Sequence, residues 1–173
     1  MRPTVEELTA VLGLKPHSEG GFFRETYRAR EVVETPRGRR AAYTTILFLV
    51  TAAAVSRLHR LSSDEIWVFQ GGLPLEFITL APGGELSRVL LGDAAEPDAS
   101  DAERVVVPQA LAPAGHWQGA RLAGGAHLQA ERAWCLLSCV VIPGFEYEDF
   151  EMGERGALLA AYPQHAEFVR SLT

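Results

Sequence analysis

The sequence has little of several features that would place it in a special class of protein. Two cysteines among 173 residues are too few for the disulfide framework of a small secreted domain. The longest apolar stretch, Ile46–Val55, covers about ten residues, whereas a membrane-spanning helix needs about twenty. The amino terminus lacks the apolar core and the small-residue cleavage site of a secretory signal. We therefore expect a cytoplasmic protein with no membrane partner.

Positive charge is also scarce. Sixteen Lys and Arg residues against twenty-two Asp and Glu residues give a net charge of −6. Binding to nucleic acid generally needs a basic face that replaces counterions, so no nucleic-acid partner is expected. The basic cluster Arg37, Arg39 and Arg40 surrounds a turn signal, and it is predicted to be a solvated hairpin loop. An anion contact and a salt bridge between subunits are the alternatives.

The two cysteines, Cys135 and Cys139, lie in AWCLLSCVVIP, which its composition and its closing proline mark as a strand. Four residues of strand span about 13 Å, and a disulfide needs Cα atoms within about 7 Å. We predict two reduced thiols in the core. A two-cysteine metal site is the alternative.

Most of the chain consists of short apolar or alternating segments separated by Gly and Pro. Many short strands about ten residues apart, without helices between them, are typical of an all-β sandwich or barrel. The predicted strands are Gly21–Tyr27, Ala42–Leu49, Val55–Leu61, Glu65–Gln70, Leu75–Leu80, Leu86–Leu91, Val105–Val107, His116–Leu122 and Trp134–Ile142.

Helical signals lie only near the two ends of the sequence. Residues 4–12 begin with a Thr4–Glu7 capping box and stop at Gly13. Residues 154–172 fit two further short helices separated by Pro163, and Gly92–Glu103 is predicted to be an exposed loop. We therefore expect one domain over residues 1–173, with a barrel over about 21–150.

The stretch SRLHRLSSDEIWVFQGG, residues 56–72, concentrates the candidate chemistry. If two strands pair around the Ser62–Ser63 turn, His59 and Glu65 both project into the barrel interior, beside Trp67 and Phe69. A purely structural His59, bonded to Asp64 or to a backbone carbonyl, is the alternative. A buried carboxylate without a partner or purpose is rare, which favours a site.

A second stretch, LAPAGHWQGARL at residues 111–122, has a Pro113–Gly115 turn and then a strand with His116 and Gln118 on one face. Together the two stretches resemble the two motifs of the cupin superfamily. The first motif has a His, a second His two residues on, a Glu four residues later and a Gly after six more. The second motif has a Pro-x-Gly turn and a His three residues after the Gly.

Three longer stretches are similar to one cupin family best known as a domain of unknown function. They are SEGGFFRETYR (18–28), SRLHRLSSDEIWVFQGG (56–72) and PGFEYEDFEMG (143–153). The resemblance covers about residues 6–173. It implies a double-stranded β-helix, the cupin jelly-roll barrel, with short terminal helices, and it suggests a homodimer.

The departures from the cupin pattern bear on the metal that typical cupins hold with three His and one Glu. Leu61 stands at the second His position and Gln118 at the last one. Leucine cannot ligate a metal, and a neutral amide is a poor ligand for transition metals. We therefore expect no cofactor, with a divalent metal held by His59, Glu65 and Gln118 as the alternative.

The pattern is also similar to that of the dTDP-sugar epimerases, which share the jelly roll and use a pocket His as base and a Tyr as acid. This implies an epimerase or isomerase without a metal, in which His59 is the base, Glu65 orients it, and Tyr147 or Tyr43 is the acid.

The expected ligand is a small carbohydrate-like or nucleotide-sugar-like molecule. The residues predicted to contact it are Arg24, Thr45, Trp67, Phe69, His116 and Gln118. A metabolite-binding module without catalysis and a metal-dependent cupin enzyme with a reduced ligand set are the alternatives.

Overall fold

Strands dominate the computed structural model, which describes residues 2–94, 106–124 and 129–173. The described strands are β1 (Lys15–Pro16), β2 (Phe22–Arg28), β3 (Val32–Thr35), β4 (Gly38–Ala41), β5 (Thr44–Thr51), β6 (Ser56–Leu61), β7 (Asp64–Gly72), β8 (Leu75–Leu80), β9 (Leu86–Leu91), β10 (Val106–Val107), β11 (Gln109–Ala112), β12 (Trp117–Leu122), β13 (Trp134–Ile142) and β14 (Phe150–Met152). The helices are α1 (Val5–Leu12), α2 (Arg155–Ala161) and α3 (Ala166–Ser171).

The strands form two six-stranded sheets and a small ribbon. One sheet has the order β1-β2-β5-β13-β7-β11 and the other β10-β9-β8-β12-β6-β14, while β3 and β4 pair with each other. The chain passes from one sheet to the other at each step from β5 to β8, as in a jelly roll. The predicted all-β jelly roll with short terminal helices is therefore confirmed.

The inward faces of the two sheets pack into an apolar core. Phe48 of β5, Trp67 of β7, Phe77 of β8 and Leu137 of β13 belong to it, and each is at most 1% exposed. Both cysteines are free and buried in this core, as predicted. The core fills one part of the barrel interior and leaves the part around Glu65 open.

The carboxyl-terminal helices cover the outer face of the second sheet. Leu158 of α2 and Val169 of α3 pack on Leu58, Ile78 and Trp117. Strand β8 is consequently buried on both faces, which explains its nearly continuous apolar sequence. None of the described helices has the length and apolarity needed to cross a membrane.

The predicted strands match the structure best where apolar runs are long. Leu75–Leu80, Leu86–Leu91 and Trp134–Ile142 have the predicted bounds, whereas the short strands β1, β3, β4, β11 and β14 were not predicted. The predicted capping box of α1 is present, with Gly13 at its end. Val105 and most of the predicted loop Gly92–Glu103 lie outside the described residues. The homodimer stays a prediction, since the structure holds one chain.

The basic cluster differs from the solvated loop that we expected. Arg40 is only 7% exposed, and its Nε donates to Oδ2 of Asp149 at 2.8 Å. Arg37 Nε donates to Oδ1 of the same carboxylate, also at 2.8 Å. The expectation of solvation is wrong for Arg40, which is buried against this carboxylate. Arg37 is exposed, and β3 and β4 form the predicted hairpin around it. Arg39, with its side chain 73% exposed, is solvated as expected.

Candidate functional site

A cavity of about 450 Å³ occupies the open part of the barrel interior. Its buried lining residues, here called the floor, include His59, Leu61, Glu65 and Trp67. Its exposed lining residues, here called the rim, are Lys15, Arg24, Glu25 and Tyr147. A concave site with a few converging polar groups is the usual form of a small-molecule pocket.

An irregularity in β6 brings two polar side chains to the same side. His59 lies opposite Gln118 of β12, but Ser56 lies opposite Ala120, so two residues of β6 face the single Gly119. This bulge shifts the alternation of side chains by one position. Ser56 and His59 therefore both reach Glu19, although they are three residues apart.

Glu19 is the centre of a buried cluster. Its Oε2 lies 3.3 Å from Nε2 of His59 and 3.3 Å from Nδ1 of His17. Its Oε1 accepts a hydrogen bond from Ser56 Oγ at 2.7 Å. Burial disfavours the charged carboxylate, but the attraction of His59 and the bonds from His17 and Ser56 outweigh it and lower the pKa of Glu19.

The two glycines after Glu19 allow its carboxylate to come close to β6. Gly20 has φ of +112° and Gly21 φ of +66°, conformations that residues with a side chain rarely adopt. A Cβ at Gly20 would collide with the carbonyl oxygen of Val55. The chain can therefore turn tightly against the start of β6 and present Glu19 to it.

Both ring nitrogens of His59 face protein groups. Nδ1 lies 2.8 Å from the carbonyl oxygen of Arg57. Since a carbonyl only accepts, Nδ1 carries a proton. Nε2 faces the Glu19 carboxylate, so the arrangement suits an imidazolium that donates from both nitrogens.

Glu65 is held by a chain of hydrogen bonds across the barrel. The indole Nε1 of Trp67 donates to Oε1 of Gln118 at 3.1 Å, and Nε2 of Gln118 donates to Oε2 of Glu65 at 2.5 Å. Because an indole N–H can only donate, Trp67 fixes the orientation of the Gln118 amide. That orientation turns the amide NH₂ toward the carboxylate.

Burial dominates the titration of Glu65. It raises the pKa of this carboxyl to about 7 against the opposing attraction of His59, and the charge of Glu19 raises it further. Glu65 is 5% exposed. A group with a pKa near neutrality both gives and takes protons readily. Nearby Cys139 is inert, because burial above all, with the charge of Glu65, raises its thiol pKa.

Five of the predicted site residues line the cavity. Arg24 and Tyr147 lie at the rim, and His59, Glu65 and Trp67 lie at the floor.

The other predicted residues lie elsewhere. Gln118 acts on the cavity only through Glu65. Phe69 packs against the apolar core, further along the inward face of β7. Thr45 is bonded to Thr26 at 2.7 Å between their hydroxyls, on the opposite side of β5 from the lining residues Thr44 and Ile46. His116 lies in the turn before β12, with Nδ1 3.4 Å from the carbonyl oxygen of Ala114.

Further expectations concern the pairing of side chains. Tyr43 is 40% exposed and packs near Tyr27, outside the cavity lining. Glu25 forms an ion pair with Arg28 at 2.8 Å. Asp64 accepts from the backbone of Ala114, so it is not the partner of His59. The other predicted partner, a backbone carbonyl, is present at Arg57.

Sequence reasoning missed His17 and Glu19, which form the buried cluster with His59. The signal that could have found Glu19 is its place before two glycines in SEGGFFRETYR. A charged residue in a segment that must turn sharply is a candidate for burial against a partner.

The profile of the family described as "Cupin superfamily (DUF985)" matches residues 6–153. The chain belongs to this cupin family. A comparison with curated proteins finds no match.

Solved structures agree with this assignment. A hypothetical protein from Leishmania major is 35% identical over 98% of each chain, with a TM-score of 0.83. A Shewanella oneidensis protein is 34% identical over 98% of this chain and 97% of its own, also with a TM-score of 0.83. Oxalate decarboxylase from Bacillus subtilis is 15% identical over 91% of this chain and 36% of its own, with a TM-score of 0.53. That last likeness concerns the fold alone.

The cupin metal positions of this chain do not fit a resident divalent ion. Leu61 offers no donor atom, and the Gln118 amide is engaged by Trp67 and Glu65. The imidazole of His59 is directed at Glu19. Among the residues that the structure describes, no group of three or more His, Cys, Asp or Glu is arranged to hold a metal ion.

Proposed function

We propose that the cavity binds a small carbohydrate-like molecule and that Glu65 moves a proton to or from it in an epimerisation or isomerisation. The observation that carries this proposal is a buried carboxyl at the cavity floor with a pKa of about 7. At neutral pH such a group is present in both its acid and its base form, which is the condition for proton transfer in either direction.

Glu65 suits the role of base better than His59, which the sequence suggested. The imidazole directs one nitrogen to Arg57 and the other to Glu19, so it has no lone pair free for a substrate. We assign His59 the role of a fixed charge that helps to position the floor. Its attraction favours the ionised form of Glu65.

The upper wall of the cavity suits a sugar ring. Phe145, Tyr147 and Phe150 line it with their rings 5.1–6.3 Å apart between centroids, and aromatic faces pack well against the C–H face of a sugar. Tyr147 is 61% exposed at the rim. It is the candidate acid on the side of the ligand away from Glu65.

One observation favours a second function, ligand binding without turnover. An epimerase removes a proton from one face of the substrate and returns one to the other, which requires a second acid or base beside the substrate. The candidate partner of Glu65 is Tyr147, which is largely exposed. Unless a second buried acid or base is directed at the ligand, the cavity can equally hold a metabolite without changing it.

The test is deuterium incorporation into keto-sugar nucleotides in heavy water, followed by proton NMR. We expect loss of the signal next to the ketone with the native protein. The Glu65→Gln variant should be slower by about 10²–10⁴-fold, and Glu151→Gln, which alters an exposed surface pair, should match the native rate. Thermal stabilisation by these compounds without deuterium uptake would favour the binding module, and neither effect with any of them would refute the proposal.

A further inference from the structure

We infer that His17 is a ligand-binding residue of this cavity, and that its Nε2 atom forms a hydrogen bond with a hydroxyl group of the ligand. The inference rests on the proposed use of the cavity for a carbohydrate-like molecule. It adds a polar contact that neither cupin motif contains, because His17 precedes both motifs in the sequence.

The link between β1 and β2 carries His17 into the barrel. Lys15 of β1 is paired with Phe23 of β2, and the backbone nitrogen of His17 continues this pairing by donating to the carbonyl oxygen of Gly21 at 3.1 Å. Side chains alternate along an extended segment, so His17 lies on the same face as Lys15 and Phe23. All three side chains line the cavity.

Aromatic rings from both sheets enclose the imidazole of His17. Its centroid lies 4.6 Å from that of Phe23 and 6.1 Å from that of Phe48, and both of these rings belong to the first sheet. It lies 5.9 Å from the centroid of Phe150 in the second sheet. Only 7% of the His17 side chain is exposed. The imidazole therefore lies between the two sheets, and the space that remains open to it is the cavity.

The two ring nitrogens of His17 have different surroundings. Nδ1 lies 3.3 Å from Oε2 of Glu19 and 3.3 Å from the backbone nitrogen of the same residue. Nε2 has no hydrogen-bond partner among the residues that the structure describes. Every fully buried side-chain nitrogen or oxygen of those residues has a partner, so Nε2 is accessible, and the position of the ring makes it accessible from the cavity. An unpartnered nitrogen in an otherwise buried side chain is a group left for a ligand.

His17 differs in this respect from His59, which also lines the cavity but directs both nitrogens at protein groups. A hydroxyl group both donates and accepts, so it is complementary to Nε2 of His17 whether or not this nitrogen carries a proton. An anionic oxygen would instead face the ionised Glu19 beside the ring, in a poorly solvated space. The contact therefore selects a neutral, hydroxyl-bearing part of the ligand.

Chemical modification tests the accessibility of Nε2 in the full-length protein without any ligand. Diethyl pyrocarbonate acylates an imidazole nitrogen that is unprotonated and accessible, and mass spectrometry of proteolytic peptides identifies the modified histidine. At mildly alkaline pH we expect His17 to be modified in the folded protein and His59 to be modified only after unfolding in urea. A folded protein in which His17 stays unmodified, although it reacts in urea, would overturn the inference.

NMR of the histidine side chains then tests the contact with a ligand. The probes are glucose and the keto-sugar nucleotides of the exchange assay, and the ring nitrogen signals of His17 are followed. We expect saturable movement of the Nε2 signal with at least one probe, with a dissociation constant on the order of 1 mM. His17→Phe retains an aromatic ring and should weaken binding of that probe, measured by calorimetry, about tenfold, the value of one hydrogen bond. The same substitution at His116, which lies in the turn before β12, should leave binding unchanged.

Equal binding by His17→Phe and the native protein, or an Nε2 signal that none of the probes moves, would overturn the inference. The modification experiment needs no variant, so it decides the question even if His17→Phe does not fold. Movement of the Nε2 signal without deuterium uptake would support this contact and contradict proton transfer by Glu65. Deuterium uptake without movement of the Nε2 signal would do the reverse, so the two proposals fail separately.

Discussion

Replacing Glu65 with Gln should remove a cost that the folded state carries at neutral and alkaline pH. Burial raises the pKa of this carboxyl from 4.5 to about 7, so the folded state holds the proton more tightly than the unfolded state does. The stabilising contribution is present in full below pH 4.5 and is lost as the pH rises through about 7. The shift corresponds to about 3 kcal/mol. A glutamine has the shape of the protonated acid and loses no proton.

The difference in unfolding free energy between Glu65→Gln and the native protein should therefore change by about 3 kcal/mol in favour of the variant from pH 4.5 to pH 8. Urea unfolding followed by tryptophan fluorescence at a series of pH values measures this difference. Glu151→Gln serves as the surface control. A difference that is constant across this pH range would refute the reasoning.

The other predictions concern the remaining polar groups of the floor. Glu19→Gln leaves His59 without its buried carboxylate and should lower the unfolding free energy by about 3 kcal/mol at pH 7. Urea unfolding measures this loss. A loss under about 1 kcal/mol would show that the ion pair contributes little to stability. The double substitution Leu61→His with Gln118→His restores the imidazoles of the typical cupin pattern and should give Zn²⁺ binding of about micromolar affinity or tighter by calorimetry. Equal zinc uptake by the native protein would contradict our reading of the native donor set.

The fold follows from features that lie close together in the sequence. An apolar run such as Trp134–Ile142 is recognised as a strand because it is short, rich in Val, Ile and Cys, and followed by a proline. The strands that escaped prediction, such as Lys15–Pro16 and Phe150–Met152, are two or three residues long. So short a segment carries no period, and its pairing is decided by the neighbouring strand.

The candidate site was predictable only in part, because some of its contacts join residues that are far apart in the sequence. His59 and Glu65 lie on consecutive strands and share a motif, and both face the interior as predicted. The predicted pairing of these two strands is wrong, because β6 and β7 belong to the two opposed sheets. Glu19 is about forty residues from His59 in the sequence, and only the turn at Gly20 and the bulge in β6 bring them to 3.3 Å. A bulge shifts the alternation of side chains by one position, and a single sequence does not show where a bulge occurs. The prediction of His59 as the base was made without knowledge of this partner.

The loss of metal donors and the high pKa of Glu65 are two aspects of one change. A carboxylate bound to a divalent cation is held in its ionised form. Where Leu61 and Gln118 stand at the imidazole positions, the attraction of His59 and the hydrogen bond from Gln118 oppose the cost of burying Glu65 but do not offset it. The carboxyl that a cupin metal would keep ionised thus becomes one that exchanges a proton near neutral pH. Leu61 and Gln118, which are poor metal donors, therefore also favour the titrating carboxyl on which the proposed acid–base chemistry depends.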